Sequence, residues 1–474
     1  MAILSTWVLI GPWPRSWVEC PFFNSDPTAI NESRWQSIES AGQTIPSEGE
    51  IAVGVGVVNL SDRMQQRFGN TTFVPLAGHG RRTWTQGNIG MADPIQVKSI
   101  SITVGPRTLL WVTADLLLIN RRLVNETLVE LDRRGWRIPR ENILFGATHT
   151  HSSYAGFTDR WIEMPSMGFH RPHIAQTIVQ ALADACEKSL REQTRACMAH
   201  VGKDLSADDL VIHRIDRKLP ANGWLDVIGF QTRDTRQWIA SVTVFSPHAT
   251  CRPKRNSQIS ADYPGVLTRQ VEEATMAPSL FFAGAVGSMG PVDLGSPREA
   301  WAEKLGTHLA HRVLQSLNSM NDFVSRTSAT SALIELALPT GQIKMGQDYR
   351  CSPLLSRNLV PTASTLHGLR IGSVAFLSVP ADFSGDLAGQ LRQKEKSHTL
   401  VCTSFGGDYV GYILPNRFAD LPTYEARSAS LLGKEAGSFF VNHLERLNRL
   451  LLDPSPSTRP KNNVKSIISS IYAN

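Results

Sequence analysis

The sequence predicts a mixed α/β fold organised around one large sheet, and three observations carry that expectation. Strand-like apolar runs alternate with stretches of helical period almost without a break from about residue 51 to residue 450. The chain of 474 residues is 42% hydrophobic and 19% charged, a globular composition with material for a sizeable core. Several apolar runs also empty directly into polar or titratable residues, the pattern by which open α/β sheets build sites at strand ends.

Taken in order, residues 1–50 are rich in Trp, Pro and Ser, lack clear periodicity, and are expected to form an N-terminal appendage, its first 14 residues a strand leading to a turn. Glu50-Ile-Ala-Val-Gly-Val-Gly-Val-Val58 opens the main unit, expected over 51–452. Val97 to Val104 and Leu109 to Leu118 read as strands, and Arg121 to Arg134 has helical spacing with Leu123, Leu128 and Leu131 on one side. His173 to Glu192, Tyr263 to Thr275, Trp301 to Leu317 and Gly437 to Leu452 fit helices, whereas Trp238 to Ser246 and Ile371 to Val379 fit buried strands. Residues 453–474 begin Asp453-Pro-Ser-Pro-Ser-Thr-Arg-Pro-Lys461 and are expected to be a flexible tail.

Bulk properties narrow the function. The balance is +6, without any block of consecutive like charges, so nucleic acid is not an expected partner. Local groups such as Arg252-Pro-Lys-Arg255 and Arg133-Arg134-Gly-Trp-Arg137 suit a solvated face first and an anionic lipid surface second. Six cysteines are scattered with no Cys-x-x-Cys spacing, so neither a disulfide framework nor a cysteine zinc site is implied. No segment reaches the roughly 18 apolar residues of a membrane span, which leaves at most peripheral membrane contact. The N-terminus has no basic residue before its apolar run and no small-residue cleavage pattern, so the expected compartment is the cytoplasm, or an exported one if the true start differs. Oligomeric state is not encoded in any feature of the chain.

The residues with chemical promise sit at strand ends. In Asn142-Ile-Leu-Phe-Gly-Ala-Thr-His-Thr-His-Ser152 two histidines stand two apart after an apolar run, so in extended backbone His149 and His151 share a face. Val244-Phe-Ser-Pro-His248, Phe376-Leu-Ser-Val-Pro-Ala-Asp382 and Asp408-Tyr-Val-Gly-Tyr412 are similar ends. Two imidazoles and a carboxylate from His149, His248 and Asp382 suit a catalytic zinc with an open position for water. Taken singly, His248 reads as a hydrogen-bonded strand-end histidine and Asp382 as a helix N-cap.

The segments Ala147-Thr-His-Thr-His-Ser152, Ser246-Pro-His-Ala-Thr250 with Ile259-Ser-Ala-Asp-Tyr-Pro-Gly265, Pro380-Ala-Asp-Phe383, and Tyr409-Val-Gly-Tyr412 followed by Tyr424-Glu425 occur in this order. Together they resemble the N-terminal catalytic domain of the neutral/alkaline, non-lysosomal ceramidase family, in which a zinc domain cleaves the amide of ceramide. The resemblance implies a ceramidase-type α/β zinc hydrolase domain, without the C-terminal β-sandwich of members known for ceramide hydrolysis. It implies Zn2+ held by His149, His248, Asp382 and Tyr412, with Asp382 standing where the family has a glutamate. It further implies proton transfer or carbonyl polarisation by His151, and contacts from Arg214, Tyr412 and Tyr424 that stabilise charge on the carbonyl oxygen. Where the family has a serine in a Gly-x-x-Ser-Pro turn, this chain reads Gly287-Ser-Met-Gly-Pro291, with Gly290 in its place and Ser288 two positions earlier.

The expected function is therefore zinc-dependent hydrolysis of an amide in ceramide or a related N-acyl lipid, through metal-activated water. The alternatives are a binding module that keeps the fold without catalysis or with another substrate, and a serine hydrolase built on Ser288, which no Gly-x-Ser-x-Gly elbow supports.

Overall fold

The structure is a computed structural model that describes residues 9–15, 27–40, 46–69, 74–85, 87–202, 205–295 and 297–452. The expected tail 453–474 lies outside the described residues. The organising element is the strand Ser47–Asn59, long enough to serve two sets of neighbours. Along one edge its residues 51–59 pair antiparallel with Gln96–Val104, which continues to Arg107–Ala114 and then, in parallel, to Ile143–Ala147. Its other edge pairs with Arg326–Ala337 through residues 47–50 and with Thr194–Val201 through residues 51–53. From these two strands the sheet runs outward to Ser279–Ala283 on one side and Thr399–Ser404 on the other.

The sheet folds over on itself. Trp111, Phe230 and Phe376 stand on strands that are not neighbours, yet the Trp111 ring lies 4.7 Å from Phe376 and 6.2 Å from Phe230. Between the two layers these aromatics, with Ile100, Leu369 and Phe282, form one apolar cluster from which water is excluded. Helices cover the outer faces. Arg121–Arg133 and Pro172–Arg191 bury their leucine and alanine stripes over the Gln96–Val104 side, and Ala436–Leu452 covers the other half with Phe440, Leu444, Leu447 and Leu451.

The mixed α/β architecture is as the sequence predicts, and most expected elements are present within a residue or two. Two strands differ. The run Leu109 to Leu118 yields a strand only to Ala114, because Leu116, Leu117 and Leu118 are buried from a loop rather than from the sheet. The run Ile371 to Val379 is two strands, Ala363–Ile371 and Val374–Val379, joined by a tight turn.

Within residues 1–50 the chain forms a helix, Thr28–Ser40, with Trp35 fully buried and its indole donating to His443 at 2.8 Å. Asn31 meets the backbone of Ala337 twice, donating at 2.9 Å and accepting at 2.7 Å, much as a neighbouring strand would. Only Asn31 and Trp35 of that helix are buried, a stripe too narrow to give periodicity in the sequence. Of the first 14 residues, a strand is described at Trp13–Pro14, paired with Tyr349–Arg350.

Candidate metal centre

Strand carboxyl ends deliver the site. His149 lies two residues past Ile143–Ala147, His248 three past Trp238–Phe245, Asp382 three past Val374–Val379, and Phe405 one past Thr399–Ser404. A short parallel pairing of Asp382–Phe383 with Tyr412–Ile413 sets Asp382 beside Tyr412. His149 and Phe405 both take left-handed backbone angles, φ 61° and 63°, a conformation unfavourable for residues with a Cβ and typical of functional turns. Their rings stack at 4.1 Å, so the strained turns fix the imidazole plane.

The histidine protons can be placed from their partners. Nδ1 of His149 faces Leu117 O at 2.7 Å, that of His151 faces Gly78 O at 2.9 Å, and that of His248 faces Met289 O at 3.0 Å. A carbonyl oxygen only accepts, so each Nδ1 carries a proton, and in the neutral ring Nε2 is left with a lone pair. Those lone pairs converge. The Nε2 atoms of His149 and His151 are 3.2 Å apart, and Asp382 Oδ1 lies 3.3 Å from Nε2 of His149 and 3.2 Å from that of His248. Asp382 Oδ1 is buried and has no hydrogen-bond partner.

Electron-rich atoms so close repel unless a cation lies among them. Two ligands each about 2.0–2.1 Å from a tetrahedral zinc are about 3.4 Å from one another, close to the separations of the pairs His149–His151, His149–Asp382 and His248–Asp382. The residues present therefore fit a zinc ion. His151 belongs to the donor cluster itself, since its Nε2 is as close to His149 as Asp382 is, and the three imidazoles alone form a group able to hold a metal.

Burial sets the electrostatics. Burial, with the charge of Arg214 second, pushes His248 down to about 3, and burial pushes His151 well below the ordinary histidine value. Both rings are thus neutral near pH 7, as metal ligands must be. Burial alone would raise the Asp382 carboxyl, and a cation held among the imidazoles would keep it ionised. The hydroxyl of Tyr412, 2.8 Å from His248 Nε2, is pushed above its usual value by burial and then by Asp382.

Arg214 and Tyr424, both expected at the site, line its outer side. Arg214 pairs with Glu425 at 3.0 Å and leaves its buried Nη1 without a partner. Tyr424 is 58% exposed and turns its ring edge toward Tyr412 at 6.2 Å. Gly290 explains its own presence: a Cβ there would lie 2.9 Å from Cγ and 3.1 Å from Cδ of Arg214, so the arginine stem fills the space a side chain would need. Ser288 is fully buried and bonded to Ser384 at 3.0 Å and to the Asp386 carboxylate at 2.9 Å, not to an imidazole base. A serine nucleophile needs a base within reach and an open path to substrate, and Ser288 has neither.

Sequence reasoning missed several supporting residues. Tyr409 donates its hydroxyl to Asp382 Oδ2 at 2.7 Å. Arg82, 5% exposed, donates to the carbonyls of Ala77 and His151 and so pins the loop beneath the site. His79 tilts over His151 at 4.9 Å and is driven to about 3 by burial and by Arg82. The only signal for His79 was its setting in Gly78-His-Gly80, a histidine on a backbone free to approach a ligand.

No family model matches the chain, and no curated protein matches it. Solved structures do. The neutral ceramidase from Pseudomonas aeruginosa superposes with a TM-score of 0.74 at 16% identity, covering 88% of this chain and 76% of that one. A structure described as ceramidase complexed with C2 gives 0.73 at 14% identity, over 88% of this chain and 77% of the other. At such identities the likeness speaks for architecture, and it is extensive: the chain has the neutral ceramidase fold.

Proposed function

We propose that the chain is a zinc-dependent hydrolase that cleaves the amide of ceramide or a related N-acyl lipid. One observation carries the reading: an unpartnered Asp382 carboxylate oxygen lies 3.3 Å from His149 Nε2 and 3.2 Å from His248 Nε2, with His151 Nε2 3.2 Å from that of His149. The fold, shared with proteins described as ceramidases, supports an N-acyl lipid as the substrate class.

In this reading His149, His248, Asp382 and Tyr412 hold the ion, with His151 within reach of the same point. Zinc bound there supplies a Lewis acid and brings the pKa of a bound water toward neutrality. The protein does the rest. His151 keeps its Nδ1 proton on Gly78, so its Nε2, left free when the other four residues hold the ion, is a base that can take a proton and pass it to the leaving amine. Arg214, held by Glu425, offers its free Nη1–H to oxygen charge that develops on the carbonyl, while Tyr412 brackets the same oxygen from the other side. Tyr424, at the mouth, contacts the polar head of the substrate.

The test is hydrolysis of a fluorescent N-acylsphingosine by purified protein after chelation and after zinc restoration, beside His149→Ala. Cleavage that is lost on chelation, returns with zinc and is absent from the variant is the expected result. Absence of bound zinc in the purified protein would favour a binding module instead. Cleavage indifferent to chelators would sink the metal reading.

A further inference from the structure

The geometry points to a docking face for an anionic lipid bilayer on the rim beside the metal centre, formed by Trp84, Ile89, Trp161 and Phe169 with Arg81 and Lys254. This rests on the proposed function in one respect: a long-chain N-acyl lipid resides in membranes, and each methylene adds to the difficulty of leaving one.

The apolar residues are unusually open to water. Trp84 is 44% exposed, Phe169 64%, Trp161 70% and Ile89 80%. Trp84 and Phe169 nevertheless hold each other edge to face at 4.8 Å, and the Trp84 indole is anchored to Pro165 O at 3.1 Å. The rings are fixed outward by their own scaffold.

That scaffold is continuous with the site. Trp161 begins the turn into the helix Met164–Met167, whose Ser166 O receives Gly78 N at 2.9 Å, and Gly78 O in turn receives the His151 ring. The helix Arg81–Thr85 carries Trp84 and starts two residues after His79. Ile89 N bonds Ser257 O at 3.0 Å, which brings it to the Arg252-Pro-Lys-Arg255 segment.

Charge selects the partner. Arg81 and Lys254 are exposed and pair with no carboxylate among the described residues, and Arg81 stands three positions before Trp84, on the same helical face. Lys254 is close enough to His79 for its charge to act on that ring. The nearby acids are already engaged: Glu299 by Arg255 at 2.7 Å and Asp159 by Arg122 at 3.2 Å. Unpaired cations interleaved with fixed aromatics match the headgroup zone, where aromatic rings settle and anionic phosphates attract basic side chains. A protein groove would pair such cations with its own carboxylates, a different chemistry that the test separates.

The experiment is co-sedimentation of the full chain with vesicles of phosphatidylcholine alone or mixed with phosphatidylglycerol, at low and high salt. Binding to the mixed vesicles that weakens with salt is expected, with a blue shift of tryptophan emission absent from the double variant Trp84→Ser with Trp161→Ser. Arg81→Glu and Lys254→Glu should each weaken partitioning about fivefold or more, since each cation near an anionic surface contributes about a factor of that size. Each variant must keep the wild-type circular dichroism and zinc content. No vesicle binding by the wild type, or binding unchanged in all these variants, overturns the assignment. The two readings separate cleanly: the rim variants should still cleave a short-chain, water-soluble N-acyl substrate at the wild-type rate. If no N-acyl substrate is cleaved while vesicle binding still depends on these residues, the enzymatic reading fails and the docking face stands.

Discussion

Asp382 is one methylene shorter than glutamate, and the chain holds it from behind. Tyr409 donates to Oδ2 at 2.7 Å and thereby turns Oδ1 toward the imidazoles. Tyr409→Phe removes that donor and leaves a buried carboxylate oxygen unpaired, so zinc affinity should fall about 10-fold to 100-fold, the usual effect of losing a partner behind a ligand. Competition with a fluorescent zinc chelator measures it, and an unchanged affinity would show that Asp382 needs no such support. Gly290→Ser is the sharper test at this scale. A serine there drives a Cβ into the Arg214 stem at 2.9 Å, so a loss of activity of about 10-fold or more is expected, with an overpacking cost of about 1–3 kcal/mol. A variant as active as the parent, read by initial rates and urea midpoints, would mean that Arg214 is not positioned as described. The sequence could nominate His149, His248, Asp382, Tyr412, Arg214 and Tyr424 because they stand in recognisable segments. It could not nominate Tyr409, Arg82 or Glu425 for their roles, since each matters through a partner 27 to 211 positions away or through a bond to a backbone carbonyl.

At the scale of elements, what fixes the site is that strand ends stay in register, and His367 is one of the anchors. It sits mid-strand in Ala363–Ile371, opposite Ser378, and its Nε2–H donates to Glu141 O at 2.6 Å in the turn that launches Ile143–Ala147 toward His149. Burial, and next the charge of Arg140, push this histidine down to about 3. The sign follows: between pH 6.5 and about 3 the unfolded chain binds a proton here and the folded chain does not. The stability that neutral His367 confers is therefore full above pH 6.5 and lost as pH falls, by up to about 1.4 kcal/mol per unit. His367→Gln keeps a donor for Glu141 O but cannot titrate. The stability gap between wild type and variant should thus shift against the wild type from pH 7 to pH 5 in urea titrations, and a constant gap would refute the argument. Helices with wide buried stripes, such as Pro172–Arg191 and Trp301–Ser319, were readable to within a residue or two, whereas Thr28–Ser40, with only Asn31 and Trp35 buried, was not. Strand ends were less so: burial continues past Ala114 through Leu116–Leu118, and apolar character alone does not distinguish a sheet residue from a buried loop.

The whole molecule is two halves meeting at the candidate metal centre. His149 and His248 come from the half built on Ser47–Asn59 and its neighbours as far as Ser279–Ala283, whereas Asp382 and Tyr412 follow strands of the half that runs to Thr399–Ser404. Each half has its own outer apolar cluster, and the aromatic layer around Trp111 joins them. The sequence showed the alternation of elements but not this division, because pairing partners such as Ser47–Asn59 and Arg326–Ala337 are far apart in the chain and either could have lain at an edge. A cation bound by both halves must stabilise the assembled state over any state in which they separate. Free zinc at about a thousandfold over its dissociation constant adds about 4 kcal/mol to the folded state. The unfolding midpoint of the wild type should therefore rise with the logarithm of free zinc, in one transition. His149→Ala and Asp382→Ala, which remove a ligand from opposite halves, should both abolish that dependence. If unfolding instead proceeds in two steps and zinc moves only one of them, or if Asp382→Ala keeps the full zinc response, the ion is held by one half alone and the bridging arrangement is wrong.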